Sequence, residues 1–334
     1  MNGEAPSVAS GYRGRFAPSP TGPLHFGSLL AAVASYADAR AHDGIWLLRI
    51  EDLDRPREVP GAADAIQRTL HAFGFEWDEP VVFQSARLDA YDAALARLDA
   101  LGLVYGCGCS RAEIAAGARL GLEGPIYPGT CRDGLPAGRR ARSLRLRTEA
   151  ESIVFEDRIQ GRQGHSVAES IGDFVLRRAD GLHAYQLAVV VDDAWQAVTQ
   201  VVRGADLLLS TPRQIGLQRA LGLPTPSHAH VPLVLDEQGR KLSKSLAAAP
   251  VDDRDPLPAL RLAWRLLGQE PLDDADSPRA FWRRAAAGWC IERVPLRSSG
   301  SLDVPSPQPA SIPEAGSDAQ AAAITRLRPL SLAR

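Results

Sequence analysis

No run of apolar residues in this chain is long enough to cross a bilayer. The longest, such as "LAVVV", falls far short of the roughly 18 residues that a spanning helix needs. The opening stretch, "MNGEAPSVASGYR", has no apolar core of a secretory signal. A dominant charge is missing too: 38 Lys and Arg stand against 40 Asp and Glu, a formal net charge of −2. Nothing global therefore marks a polyanion partner, although a local basic face would suffice for one. Cysteine is scarce. Four in 334 residues exclude a disulfide scaffold. The phosphate-binding pattern G-x-x-x-x-G-K-[ST] occurs nowhere, which excludes a P-loop nucleotide site. There is no internal repeat. Together these absences point to a cytoplasmic protein without a membrane partner.

What is present is a core. Hydrophobic residues make up 45% of the chain, enough for a large globular fold. Residues 13–17 read as a short strand, followed by a Pro/Gly turn and a helix that Ser28 caps and that runs to about Ala41. Leu29, Leu30, Val33 and Ala37 share one face of it. "GIWLLRI" (44–50) is a buried strand ending in the acidic "EDLD", and 60–73 and 86–101 are amphipathic helices. That alternation predicts an α/β fold with a Rossmann-like parallel sheet. Residues 104–150 break the rhythm with cysteines, glycines and arginines, as an inserted subdomain would. "AYQLAVVVDDA" reads as a strand and 211–221 as a helix. The loop "DEQGRKLSKS" spans 236–245. Helices at about 256–267 and 278–290 follow, the second capped by Ser277 with Pro278 in its first turn. The expected division is 13–103 and 151–250 as the two halves of the catalytic domain, 104–150 as the insert, 251–294 as a short helical part, and 295–334 as a disordered tail.

Four stretches could carry chemistry. "RFAPSPTGPLHFGS" (15–28) is a strand-to-helix turn, where free N–H groups and the helix dipole favour phosphate. Gly27 would let a ligand reach the backbone, and His25 could donate to a phosphate oxygen. "KLSKS" (241–245) offers Lys241 and Lys244 to a triphosphate, with the Lys244 ammonium set against charge on a leaving pyrophosphate. Cys107, Cys109 and Cys131 supply three thiolates where structural zinc wants four ligands. Tyr127, His42, His71, His165 and Cys290 are the candidates for the fourth. Finally, "RDGLPAGRRARSLRLR" (132–147) carries six arginines; it is either a solvated face or a contact for an RNA backbone.

The pairing of "PLHFGS" with "KLSKS", in that order and separation, resembles the class I aminoacyl-tRNA synthetases. "LLRIEDLD", "VFQSARLDAY" and "AYQLAVVVDDAWQAVTQVVRGADLL" extend the likeness to the glutamate-specific branch across most of residues 13–250. The last place of the histidine signature departs from the pattern, with Ser28 standing there. The resemblance implies an ATP-dependent ligase with ATP as substrate, magnesium travelling with it. It implies a glutamate pocket built from Arg15, Phe16, Ala17, Pro18, Ser19, Glu51, Tyr185 and Arg203. Two arginines suit two carboxylates, and Glu51 suits the ammonium. His25, Gly27, Lys241 and Lys244 would serve ATP. The Cys-x-Cys and Tyr-x-x-x-Cys spacing resembles one subfamily and favours Tyr127 as the fourth zinc ligand. Only residues 246–334 follow the lysine loop, too few for an anticodon-binding region. That feature is similar to the enzymes that load glutamate, activated without tRNA, onto the queuosine base of tRNA(Asp). A monomer is expected. Two other readings stand beside this one: a truncated enzyme charging the 3′ end of tRNA(Glu), and a non-catalytic zinc-containing RNA-binding paralogue.

Overall fold

The chain opens with strand β1 (Arg13–Phe16), which turns through the prolines into helix α1 (Phe26–Ala41). The computed structural model describes residues 11–233 and 250–296, so the lysine loop at 236–245 and most of the expected tail lie outside the described residues. Strand β2 (Ile45–Ile50), helix α2 (Ala62–Ala72), strand β3 (Val82–Phe83) and helix α3 (Leu88–Ala100) follow. β1, β2 and β3 pair in parallel in that order, with Arg15 opposite Leu47.

The segment rich in Cys and Arg holds β4 (Val104–Cys107), α4 (Arg111–Gly117), a small hairpin of β5 (Leu120–Gly121) and β6 (Gly124–Pro125), and β7 (Ser143–Leu146). Next come β8 (Ser152–Asp157), β9 (Gly161–Ser166), the short α5 (Val167–Ser170) and β10 (Val175–Arg177). β10, β7 and β4 form an antiparallel sheet in that order, so residues beyond 150 complete the small sheet that begins at 104. Helix α6 (Tyr185–Trp195), β11 (Gln200–Gly204), α7 (Thr211–Leu221), β12 (Ser227–Val231), α8 (Pro256–Leu266) and α9 (Pro278–Gly288) complete the order. β11, β12 and β8 are parallel neighbours, and β9 closes that sheet antiparallel to β8.

β1 lies alongside β11. The Thr199 N–H donates to the Arg13 carbonyl at 2.9 Å, and the Arg13 N–H donates to Thr199 Oγ1 at 2.9 Å. α1 covers both strands and is covered in turn by α8 and α9. That double cover explains its apolar circumference, with Leu29 to Ala39 buried almost without a break. Beneath it Trp46, fully buried, stacks on Phe16 and Phe75 and meets the edge of Tyr36. Truncating an aromatic side chain so enclosed costs about 3–5 kcal/mol.

Two local expectations change. Ser28 does not cap α1; His25 does, its Nδ1 accepting from the Ser28 N–H at 3.2 Å, which makes Ser28 a residue of the first turn. "AYQLAVVVDDA" is helix α6, not a strand. Its buried Leu187, Ala188, Val189 and Val190 pack within a cluster shared with α3 and α7. An apolar run buried on several sides has no period to reveal, and tertiary packing overrides the preference of valine for strands.

Candidate active site

β1 and β11 end side by side, and their last residues floor a cavity of about 310 Å³. Ligands of open α/β sheets bind at the carboxyl ends of strands, where loops diverge and helix N-termini point inward. Of the residues singled out in the sequence, Arg15, Phe16, Ala17, Pro18, Ser19, His25, Gly27, Tyr185 and Arg203 all line this cavity. Glu51 does not line it, but its field reaches Tyr185 and Arg203. Lys241 and Lys244 lie outside the described residues.

The charges around the cavity form a connected set. Asp193, from the end of α6, bridges two arginines: Arg15 Nε donates to it at 3.2 Å, and Arg49 Nη2 lies 2.8 Å away. Arg49 also donates to Glu51 at 3.2 Å and to Gln196 at 2.7 Å. Burial disfavours the charge of Arg49, yet Asp193 and Glu51 outweigh it and hold the guanidinium protonated more firmly than usual. Burial raises the Glu51 carboxyl above its ordinary range, and Arg49 and Arg15 only partly oppose that. Arg203 is different. It has no carboxylate partner among the described residues, burial weakens its hold on its proton, and its buried Nη1 has no hydrogen-bond partner among them. Arg15 and Arg49 thus share Asp193 and Glu51, Asp206 lines the same cavity, and Arg203 alone of the three arginines has no carboxylate within ion-pair distance among the described residues. A buried guanidinium without such a partner is costly, so the cavity suits a ligand that brings a carboxylate to it.

Arg49, Asp193 and Gln196 were not singled out in the sequence. An arginine inside the otherwise apolar "IWLLRI" was a usable signal, because a strand buried on both faces holds a charge only when a partner exists. The partner in "VVVDDA" was hidden by reading that stretch as a strand.

Two buried histidines border the same site. Burial, then the field of Arg203, keeps His228 neutral well into acid, and burial brings His230 down to about 4. The unfolded chain would protonate both near 6.5. Between 6.5 and 4 the unfolded state therefore binds more protons, so stability is complete above pH 6.5 and is lost as pH falls toward 4. Glu51, raised by burial, acts in the opposite sense, but as one group against two. The melting temperature should fall steadily between pH 6.5 and 5; a flat profile there would contradict the buried neutral pair.

The cysteines converge as well. The Sγ atoms of Cys107, Cys109 and Cys131 all lie within 4.8 Å of one another, with Cys109 and Cys131 at 3.6 Å. Tyr127 Oη sits 3.4 Å from Cys107 Sγ and 3.9 Å from Cys109 Sγ. Tetrahedral zinc with bonds of about 2.3 Å to sulfur and about 2.0 Å to oxygen spaces its ligand atoms roughly 3.5–3.8 Å apart, so the four side chains fit such an ion. Among the described residues no histidine, acid or fourth cysteine joins the group. Although burial resists it, the Tyr127 hydroxyl and Arg145 draw the Cys107 thiol down to about 7. Arg145 stacks on the Tyr127 ring at 4.0 Å, whereas Arg132 is taken by Asp173 at 2.6 Å. The arginine run is thus divided. Arg132, Arg145 and Arg147 bind within the fold, Arg139 pairs with Glu113, and Arg140 and Arg142 are exposed.

A family described as tRNA synthetases class I (E and Q), catalytic domain, matches residues 12–257. The chain belongs to this family. Curated relatives include a glutamyl-Q tRNA(Asp) synthetase of Dechloromonas aromatica, 57% identical over 293 residues, covering 86% of this chain and 97% of the relative. Proteins of the same name from Chromobacterium violaceum (55% identical, 88% and 98% covered) and Burkholderia mallei (59%, 83% and 96%) are similar to it. Among solved structures, a glutamate tRNA ligase from Elizabethkingia meningosepticum in complex with its amino acid superposes with a TM-score of 0.71. At 24% identity, over 86% of this chain and 66% of that one, it shares the fold.

The class I synthetase fold puts the histidine signature at the mouth of the cavity. His25 Nδ1 already accepts from the Ser28 N–H, so the neutral ring carries its proton on Nε2, 3.1 Å from Ser28 Oγ. A Cβ at Gly27 would lie 3.4 Å from the His25 ring, in van der Waals contact with it.

Proposed function

We propose that the chain activates glutamate with ATP, without tRNA, to glutamyl-adenylate and pyrophosphate, and transfers the glutamyl group to the queuosine base in the anticodon loop of tRNA(Asp). The single observation that carries the amino-acid choice is the buried Arg203 guanidinium, which has no carboxylate partner among the described residues. Glutamate, with two carboxylates and one ammonium, neutralises it; glutamine leaves it buried and unpaired. Relatives at 55–59% identity that bear the glutamyl-Q name support the acceptor.

In this reading Arg15 and Arg203 hold carboxylates, Glu51 attracts the ammonium, and Tyr185 and Ser19 close the pocket. The α-carboxylate oxygen attacks the α-phosphorus in line, and the bond to pyrophosphate breaks. Positioning and charge stabilisation do the catalytic work. His25, the amides around Gly27, Lys241 and Lys244 bear on the phosphates, with magnesium accompanying ATP. Cys107, Cys109, Tyr127 and Cys131 hold a structural zinc that braces the small sheet of β4, β7 and β10. Arg140 and Arg142 meet the RNA backbone.

Pyrophosphate exchange without RNA tests the first half. Glutamate should support it at least about 100-fold better than glutamine in kcat/KM. Comparable rates with the two amino acids would defeat the charge argument. For the second half, labelled glutamate is incubated with bulk tRNA and the product is digested. Label on the queuosine nucleoside of tRNA(Asp) is expected, and label on the terminal adenosine would point to 3′ charging instead.

A further inference from the structure

We infer that His230 and Asp157 are positioning residues, which lock the Arg203 guanidinium beside the amino-acid pocket that this side chain lines. This inference rests on the reading of that pocket as the glutamate site. The three residues stand on adjacent parallel strands. Arg203 on β11 is in register with His230 on β12, and Asp157 ends β8 on the other side of β12.

The chain of hydrogen bonds sets the tautomer of His230. Arg203 Nε donates to His230 Nε2 at 2.9 Å. A guanidinium N–H can only donate, so Nε2 must be the unprotonated ring nitrogen. Nδ1 therefore carries the hydrogen and gives it to Asp157 Oδ2 at 2.6 Å. Thr211 Oγ1 accepts from Arg203 Nη2 at 2.9 Å and lies 3.3 Å from His230 Nε2. With Nε and Nη2 engaged, Nη1 is the edge left over, and it is the buried nitrogen without a partner among the described residues.

Asp157 is itself immobilised. Its Oδ1 accepts the backbone N–H groups of Ile159 at 3.0 Å, Gln160 at 2.8 Å and His230 at 3.1 Å. The charged and titratable groups acting on the imidazole are Asp157, Arg203, Arg15 and the parallel ring of His228 at 6.2 Å. Only the carboxylate favours a proton there, and burial and the arginines disfavour it. Were His230 to take a second proton, two N–H groups would oppose one another across 2.9 Å and Arg203 would have to turn away. A rotation of this kind misplaces the substrate carboxylate, and a displacement near 1 Å costs about 100-fold in rate.

The test combines kinetics with a readout that needs no substrate. In pyrophosphate exchange, His230→Leu should raise the glutamate KM about 10-fold to 100-fold while the ATP KM stays within about twofold. His230→Gln, whose amide oxygen can accept from Arg203 Nε, should recover part of the loss. An ATP KM that rises as much as that for glutamate, or an unchanged glutamate KM in a folded His230→Leu protein, overturns the proposal. The ¹⁵N spectrum of histidine-labelled wild type, with His230 assigned by its absence in His230→Gln, should show the Nδ1–H tautomer. An Nε2–H tautomer overturns it too, even if the leucine variant does not fold. Silence of the wild type in glutamate-dependent exchange would remove the glutamate reading, and the tautomer measurement would still decide the proton assignment on its own.

Discussion

Arg203→Met lowers kcat/KM for glutamate in pyrophosphate exchange by about 1,000-fold and leaves the melting temperature unchanged or higher. The two halves of this expectation have one cause. Arg203 is held at 5% exposure with no carboxylate beside it among the described residues, and its Nη1 is unpaired there. In the empty site that charge is a cost, because a buried cation without a counter-ion loses its hydration and gains little in return. Methionine removes the charge while keeping most of the volume, and Thr211 Oγ1, 3.3 Å from His230 Nε2, can donate to the acceptor that the arginine leaves, so the fold gains or stays even. In the proposed pocket, however, the glutamate carboxylate loses its unpaired cationic donor. Loss of one such donor alone costs about 100- to 1,000-fold in comparable sites. Arg15→Met should differ in sign on stability. Its partner Asp193 is at 6% exposure and would keep only Arg49 as counter-ion. A melting temperature that drops for Arg203→Met as far as for Arg15→Met would contradict the unequal pairing of the two arginines.

Removal of a metal from the cysteine cluster should have the second largest effect. Purified protein should carry about one zinc per chain, and Cys131→Ser should carry far less. Zinc-binding free energy in such a site is folding free energy. A loss of at least about 3 kcal/mol is therefore expected, with a shift in melting temperature of roughly 2–4 °C for each kcal/mol. Proteolysis should then cut first between residues 108 and 142, the stretch between β4 and β7. Tyr127→Phe separates the roles of the phenol. It removes the oxygen 3.4 Å from Cys107 Sγ and also the acceptor of the Cys131 N–H at 2.8 Å. It should weaken metal retention while leaving the ring stacked under Arg145. Protein that contains no metal and is indifferent to Cys131→Ser would sink the zinc reading.

Much of the site was legible because it is local. The turn after β1 contributes Arg15 to Ser19, His25 and Gly27 from one short stretch, and a strand-to-helix turn can hardly scatter them. The cysteines follow the same logic: Cys107 and Cys109 are next-but-one neighbours, and Tyr127 and Cys131 lie four apart. α2, α8 and α9 were readable from one-sided periodicity and from caps such as Ser277, whose side chain accepts from the Ala280 N–H. α6 was not, because its polar residues are buried along with its apolar run: Asp192 and Asp193 sit inside the fold on Arg87 and Arg49, and α3 and α7 pack against the valines.

The sequence alone determined which side chains could meet a triphosphate, a dicarboxylic amino acid and a metal, since residue chemistry and short spacings carry that information. Tertiary structure alone decided which charges cancel. Asp193 is 178 positions from Arg15 and 144 from Arg49, yet it pairs with both, and the pairing depends on α6 being a helix that ends beside β1 and β2. His230 and Asp157 reach Arg203 only through the order of three strands. Net charge in a buried site depends on distances of a few ångströms across the fold, because burial removes the water that would otherwise screen each group.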